Sequence, residues 1–268
     1  FGKNASAGVI SVVTEEPQFD LGGFAELSYG NYDALVARAY VTGPLSDNVA
    51  VSIGGGINSR EGFFEDLGTG SFANNRDRWF VRGQALIDNG TNLSLRIIAD
   101  YDSIDEICCG VINAQSGPAS AAIQAIGGQF SDPNNPFADV ITNNFDSVND
   151  IVNHGISAQL DYDVGDFTFT SITASRTTES VTEQDSDFTT ADLIFPNSQD
   201  LEISTFTQEF RVAGTIGDRV DLLLGAFYIN EDVEQSNQLL YGADFRNYAN
   251  LLTVGGSGGA FSLFQDPN

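Results

Sequence analysis

The chain has 268 residues, with 37 Asp and Glu against 11 Lys and Arg, a formal net charge of −26. That excess of acid excludes a binder of phosphate backbones, which must neutralise phosphates with basic side chains, and it excludes charge-driven adhesion to an anionic membrane surface. A hydrophobic content of 41% is too high for a disordered acidic tail, and 28 Gly and 20 Phe with no Met fit strands and turns better than helices.

The chain opens in sequence that already looks folded, Phe1-Gly2-Lys3-Asn4-Ala5, without a signal-peptide pattern. Val9 to Thr14 reads as a short β-branched strand that Pro17 ends. Period-two alternation then recurs, often over ten or more residues. It predicts nine strands at about 22–30, 33–43, 48–58, 77–88, 91–102, 154–163, 166–178, 202–214 and 219–232. The alternation is less clean near Phe167 to Arg176 and Val220 to Ile229, where the strands are expected but their facing is open. Only Ala119 to Ile126 passes for a helix, stopped by Gly127-Gly128. No run of 18 apolar residues exists, which excludes a membrane-spanning helix but not a transmembrane β-barrel.

After the first hairpin, short connections (Pro44 to Asn48, Asp88 to Thr91, Val164-Gly165, Thr215 to Asp218) alternate with long ones (59–75, 103–153, 179–201). An up-and-down barrel in an outer membrane does this, with tight turns on one side and long loops outside. The segments 103–153 and 179–201 each hold six acids and no base, and they read as solvated extracellular surface. Arg78, Arg82, Arg96 and Arg211 fall on the polar face of their strands, the lumen of a barrel, where they pair with acids such as Glu209 and Asp100 or meet a substrate in passage. The opposite face, with Trp79, Val81, Leu93, Leu95 and Phe206, would meet lipid. Nine strands leave unpaired edges that hydrocarbon cannot satisfy, so the chain is expected to be part of something larger.

Other residue patterns carry little chemistry. Cys108 and Cys109 are adjacent, which is neither a disulfide framework nor a CxxC spacing. A vicinal disulfide is a candidate in an oxidising compartment, though strained, and two inert thiols in a loop is the bland alternative. His154, the only histidine, reads as a strand-end or rim residue. Asp161, Asp163 and Asp166 flank a tight turn and lack the glycine and terminal glutamate of a calcium loop. Gly54-Gly55-Gly56 lacks the Lys-Ser/Thr of a phosphate loop and reads as relief of crowding beside a plug or bend. No catalytic residue, cofactor or metal site is expected.

The run from Phe1 to Pro17 (FGKNASAGVISVVTEEP) resembles the end of the plug domain of TonB-dependent outer-membrane receptors, with Ser11 for the usual Asn and Glu15-Glu16 for the usual Lys pair. Gly22-Gly23 to Tyr32 resembles the first barrel strand and its hairpin, and Val41-Thr42-Gly43-Pro44-Leu45 is similar to the family's periplasmic turn. Asp166 to Ala174, Thr207 to Ala213 and Leu224 to Tyr228 resemble later strands. The resemblance implies an all-β fold: the plug end at 1–17, then about nine strands of a probable 22-stranded antiparallel barrel over 18–268. Extracellular loops are expected at 59–75, 103–153, 179–201 and 233–268. It implies energised uptake of a scarce solute, most often a metal chelate such as a ferric siderophore. The partners implied are the TonB complex, through the N-terminal region this chain lacks, and outer-membrane lipid and lipopolysaccharide. The acidic exterior slightly favours a neutral or cationic ligand. Alternatives from the residues themselves are a passive or adhesin-like barrel and a secreted carbohydrate-binding β-domain. The latter requires the face with Trp79, Leu93, Leu95 and Phe206 to be covered by a second sheet.

Overall fold

The structure is a computed structural model that describes residue 8 and residues 12–217 and 219–257. Nine long strands form one antiparallel sheet in which every neighbour in space is the next long strand in the chain. In chain order these are β1 (Gly22–Gly30), β2 (Ala34–Ser46), β3 (Val49–Arg60), β6 (Arg76–Asp88), β7 (Leu93–Glu106), β9 (Val148–Val164), β10 (Phe167–Glu183), β11 (Ile194–Ile216) and β12 (Val220–Tyr241). The short elements between and after them are β4 (Phe64–Asp66), β5 (Phe72–Ala73), α1 (Pro118–Ala125), β8 (Val140–Ile141) and α2 (Phe245–Ser257). The sheet is open, with β1 and β12 at its edges.

After the first hairpin, tight turns gather at one end. Asn89 builds one of them, its Oδ1 accepting from the backbone N–H groups of Thr91, Asn92 and Leu93, each at 3.0 Å. Gly165 closes another with φ of 57°, a conformation glycine adopts without steric cost.

Register divides the side chains into two faces. Arg82 lies directly opposite Gly54 and Asp100, and Asp100 opposite Gly155, so these share one face. The other face carries Leu93, Leu95, Ile97 and Tyr101 of β7 beside Ile156, Ala158, Leu160 and Tyr162 of β9. It is bare: Trp79 is 43% exposed and Phe206 40%, so among the described residues no second sheet covers them. At the loop end Trp79 stacks on Tyr101 (5.1 Å between centroids) and Tyr101 on His154 (6.2 Å). Tyr162 and Phe169 sit opposite each other toward the turn end. His154 therefore lies inside β9 on the apolar face, at the loop-end rim of the apolar band and not at a strand end. The nine residues from His154 to Tyr162 match the roughly 9–11 that a tilted strand needs to cross a bilayer. Three polar side chains on this face satisfy one another: Thr173 Oγ1 donates to Gln208 Oε1 (2.6 Å) and Gln208 Nε2 to Ser171 Oγ (3.1 Å).

The strands run past the ends that alternation predicts. The expected loop 179–201 shrinks to residues 184–193, because β10 continues to Glu183 and β11 begins at Ile194. The loop 103–153 loses residues at both ends to β7 and β9, and β12 continues to Tyr241 before α2. The expected loop 59–75 holds the end of β3 and the short strands β4 and β5. In these outer reaches both faces meet water, so polar residues occur on both and the alternation disappears, while the ladder hydrogen bonds persist. The strand expected over Val9 to Thr14 is absent where described, since residues 12–17 have no regular structure and 9–11 lie outside the described residues. Residues 1–7 of the plug-like run and 258–268 of the last expected loop also lie outside them.

At the loop end the long connections weld into a cap. β5, β4 and β8 form a small sheet joining segments 61–75 and 107–147, with β4 and β8 parallel. Ile123, Ala191 and Leu193 make an apolar cluster, against which Ile126, Phe130 and Tyr248 pack. Asp132, Asp139, Asp146 and Asp150 are exposed, as their sequence suggests, but other acids here are fastened into the body. Asp66 is 2% exposed, and its Oδ1 accepts from Gly68 N and Asn143 N, both at 2.9 Å, tying two loops together. Asp185 is fully buried and accepts from Asn144 N (2.9 Å), Phe188 N (3.0 Å) and Asp187 N (3.1 Å). Asp192 Oδ2 accepts from Ala243 N (2.8 Å), and Asp244 Oδ2 accepts from Asp192 N (3.1 Å), fastening the segment after β12 to the same body.

Burial pushes the Asp185 carboxyl up to about 6 and raises Asp187 as well, although N–H donors pull the other way at both. A folded pKa above the unfolded 3.8 means that this contribution is full below 3.8 and lost as pH rises through about 6. Hydrogen-exchange protection of the Phe188 amide, corrected for intrinsic rate, is therefore expected to rise on acidification from pH 7 to 4. Protection that falls over that window would exclude this account. Asp66→Ala strands the buried Asn143 N–H and removes the acceptor of the half-buried Gly68 N–H, and is expected to cost about 1–3 kcal/mol of cap stability. The check is faster exchange at Gly68 and Asn143 with β9 and β10 unchanged.

Candidate functional site

The polar face of the sheet is its inner face, because the segment before β1 lies against it. Arg96 is the anchor. Its Nη2 donates to Thr14 O (2.9 Å), Thr14 Oγ1 (3.1 Å) and Glu15 O (3.1 Å), and Nη1 lies 3.5 Å from a Glu16 carboxylate oxygen. Gln84, diagonally across the strand pair on β6 and 8% exposed, accepts from Arg96 Nη2 at 2.7 Å and donates to Glu15 O at 3.3 Å. Farther along, Gln18 N donates to Thr42 Oγ1 (2.8 Å), whose hydroxyl donates to Val51 O (3.1 Å). Residues 14–18 thus run across the inner face of β2, β3, β6 and β7, fixed mainly through their backbone.

The sequence-derived residues Arg78, Arg82, Arg96, Glu209 and Arg211 all lie on this face, yet they form no single cluster. Arg78 pairs with Glu106 through Nε and Nη2, the latter at 2.8 Å. Arg211 Nε donates to Glu209 Oε1 at 2.5 Å within β11. Asp100 accepts both contacts of Arg176 Nη2, at 2.7 and 2.8 Å. Arg176 falls where alternation left the facing open, and cross-strand register is what places it.

Arg38 and Arg82 have no carboxylate partner among the described residues, and neither does the Nε of Arg82 find an acceptor, though it is buried. Both line a cavity of about 250 Å³ with Phe24, Tyr40 and Phe80. The Tyr40 hydroxyl there is also buried and unpartnered. Gly54 and Gly56 of β3 make this arrangement fit. A Cβ on Gly56 would meet Phe80 at 3.0 Å and Arg38 at 3.1 Å, so the glycine lets side chains from both neighbouring strands lie over the backbone between them. Relief of crowding is indeed what the glycine run provides. Arg38 escaped the sequence reading, although it alternates with Val36, Tyr40 and Thr42 on one face of β2.

Farther round the sheet, at the loop end of β9 to β12, the inner face opens into a chamber of about 630 Å³. Carboxamides dominate its lining: Asn149 of β9, Gln199 of β11 and Asn237 of β12 stand in one cross-strand row with Thr182, and Gln184 and Asn197 join them. Gln199 Nε2 donates to Asn237 Oδ1 at 3.1 Å. Cys108 and Cys109 also line it, both as free thiols. Burial pushes Cys108 up to about 12, with the neighbouring Cys109 and Glu106 adding to the rise. Asp161, Asp163 and Asp166 gather no metal-like set. Asp161 and Asp163 accept from Thr170 (2.5 Å) and Thr168 (2.6 Å), and among the described residues no group of three His, Cys, Asp or Glu is placed to hold a metal.

No family model matches the sequence, and no curated protein does. Solved structures do match. The ferric yersiniabactin uptake receptor FyuA from Yersinia pestis shares 15% identity over 90% of this chain and 35% of its own, with a TM-score of 0.72. The ferric-catecholate import receptor Fiu from E. coli K12, in its closed form, shares 16% identity over 88% of this chain and 35% of its own, with a TM-score of 0.66. The outer-membrane ferripyoverdine receptor of Pseudomonas aeruginosa, solved with ferripyoverdine bound, shares 14% over 83% of this chain and 29% of its own, with a TM-score of 0.59. The chain thus spans about a third of the length of the receptors it matches. Its fold is that of part of an up-and-down β-barrel, the fold expected from the resemblance to TonB-dependent receptors.

Arg96→Ala removes several charge-assisted contacts to residues 14–16. Each is worth about 1.5–3 kcal/mol, so a Glu-specific protease is expected to cut at Glu15 or Glu16 at least ~10-fold faster. Arg211→Ala, whose partner lies on its own strand, is expected to leave that rate unchanged.

Proposed function

We propose that this chain is part of an outer-membrane receptor that takes up a scarce solute, in the first place a metal chelate such as a ferric siderophore, in a TonB-dependent way. The observation that carries the reading is the inner face. It is polar, holds an extended segment through Arg96 and Gln84, and opens at the loop end into a chamber. A passive pore has no need of a segment lashed across its wall, whereas a gated one does. On this reading residues 1–17 are the end of a plug, the remainder is barrel wall, and Arg78, Arg82, Arg96, Glu209 and Arg211 line the passage. No covalent chemistry is involved. Selectivity comes from shape and a few polar contacts in a partly enclosed site. The chamber offers carboxamide donors and acceptors, and its one charged lining residue is the carboxylate Glu183, which suits a neutral chelate better than a highly anionic one.

The bare apolar face meets lipid in this reading, with Trp79, Tyr101 and His154 at the outer interface and Tyr162 and Phe169 at the inner one. The acid-rich cap faces outward, toward lipopolysaccharide and its counter-cations.

The direct test is uptake of radiolabelled iron by cells lacking their own ferric-chelate receptors but carrying the intact protein. Accumulation with at least one siderophore is expected, and deletion of TonB is expected to abolish it. Accumulation that survives the deletion points instead to a passive barrel. A separate check addresses the lipid face. Ile97→Arg, in the middle of the apolar band, is expected to destabilise the folded barrel in vesicles by about 2–4 kcal/mol, and Ile98→Arg, on the inner face, by much less. Equal costs at the two positions contradict the facing.

A further inference from the structure

Cys108 and Cys109 stand between two fixed points. On one side Ile107 N donates to Asn75 Oδ1 (2.7 Å) and Ile107 O accepts from Asn74 N (2.8 Å). On the other, Gly110 N donates to Asn74 Oδ1 (3.0 Å). Gly110 is pressed so close to Phe64 that a Cβ would lie 2.8 Å from its ring. The two cysteines therefore form a short arch whose feet are both pinned to the Asn74-Asn75 turn. Cys109 is exposed and Cys108 half-buried, and both face the chamber. Adjacent cysteines ordinarily close a ring only against strain and at the expense of chain freedom. Here the freedom is already lost in the reduced protein.

We propose that Cys108 and Cys109 are a redox modification site, a thiol pair that dioxygen oxidises to a vicinal disulfide on the chamber wall. The step balances within the pair and its oxidant. Each thiol gives up a proton and an electron, the two sulfurs join, and dioxygen takes both protons and both electrons to leave as hydrogen peroxide. Exposed Cys109 meets the oxidant first, and Cys108, next to it in the chain, closes the bond. Burial keeps Cys108 from stabilising a thiolate, which removes a force that would otherwise favour the reduced pair. Oxidation deletes two S–H donors from a lining rich in carboxamides, so the chamber presents different hydrogen-bonding groups in its two states.

The proposal goes beyond the transport reading, and its test uses purified intact protein equilibrated with air, so neither uptake nor localisation enters. The protein is denatured in iodoacetamide, digested and mapped by mass. The expected result is no alkylation at either cysteine, with the peptide carrying both about 2 Da lighter than its reduced form. Prior reduction with a phosphine is expected to restore two alkylated thiols. Cys109→Ser is expected to leave Cys108 open to alkylation without reduction. Two alkylated thiols in the unreduced wild-type protein overturn the proposal, as does either cysteine joined to a cysteine elsewhere.

Discussion

Every other feature of this molecule rests on the pairing of backbone N–H and C=O groups between strands adjacent in the chain. Eight antiparallel ladders join nine long strands without a crossover. Once those ladders fix the register, each side chain has its face assigned, because neighbours along a strand point opposite ways and partners across a ladder point the same way. The separation of an apolar face from a polar one follows from that geometry and needs no further interaction. So does the meeting of distant residues such as Asp100 and Arg176, or of Arg96 and Gln84 with the segment before β1. The same ladders carry the strands well past the apolar band. β11 has 23 residues where about 9–11 would cross a bilayer, and the surplus forms the walls of the chamber.

Charge is handled in two ways. On the inner face acids meet arginines, as in Arg78 with Glu106 and Arg176 with Asp100. In the cap there are few bases to meet, and aspartates instead accept backbone N–H groups from other loops. This lets a strongly acidic chain use its excess acid as structural fastening. A buried carboxylate with three donors can replace a turn's worth of missing backbone bonds, provided those donors come from segments that must be held together. Asp66 and Asp185 meet that condition on either side of the Asn143-Asn144 peptide.

Much of this was legible in the residues. All nine strands, their order, the facing of Arg78, Arg82, Arg96 and Arg211, and the short helix near Ala119 follow from alternation and turn chemistry. Alternation is strong only where one face meets apolar surroundings and the other does not. It faded in β10 beyond Thr178, in β11 before Leu201 and in β12 beyond Asp232, where both faces meet water. The three-stranded sheet of the cap was hidden because its strands have two or three residues each, too few for any period to show. The burial of Asp66 and Asp185 was hidden for a different reason. An acid in a loop looks the same whether it faces solvent or another loop's backbone. The pocket at Arg38 and Arg82 depended on a relation between strands, with glycines on β3 opposite arginines on β2 and β6, and a single strand read alone cannot show it.

The two halves of the molecule differ in how far apart in the chain their contacts lie. The ladders join each long strand to the next one along, so the sheet can grow one hairpin at a time from whichever hairpin forms first. The cap joins residue 66 to 143, 144 to 185 and 192 to 243, and each of these ties spans strands of the wall. The ladders are local and the cap ties long-range, so the entropy of closing the cap falls once the wall is formed. The cap can come apart as a local unit while the wall keeps its ladders. A chamber bordered by the part that loosens first has its entrance set by the stability of that part.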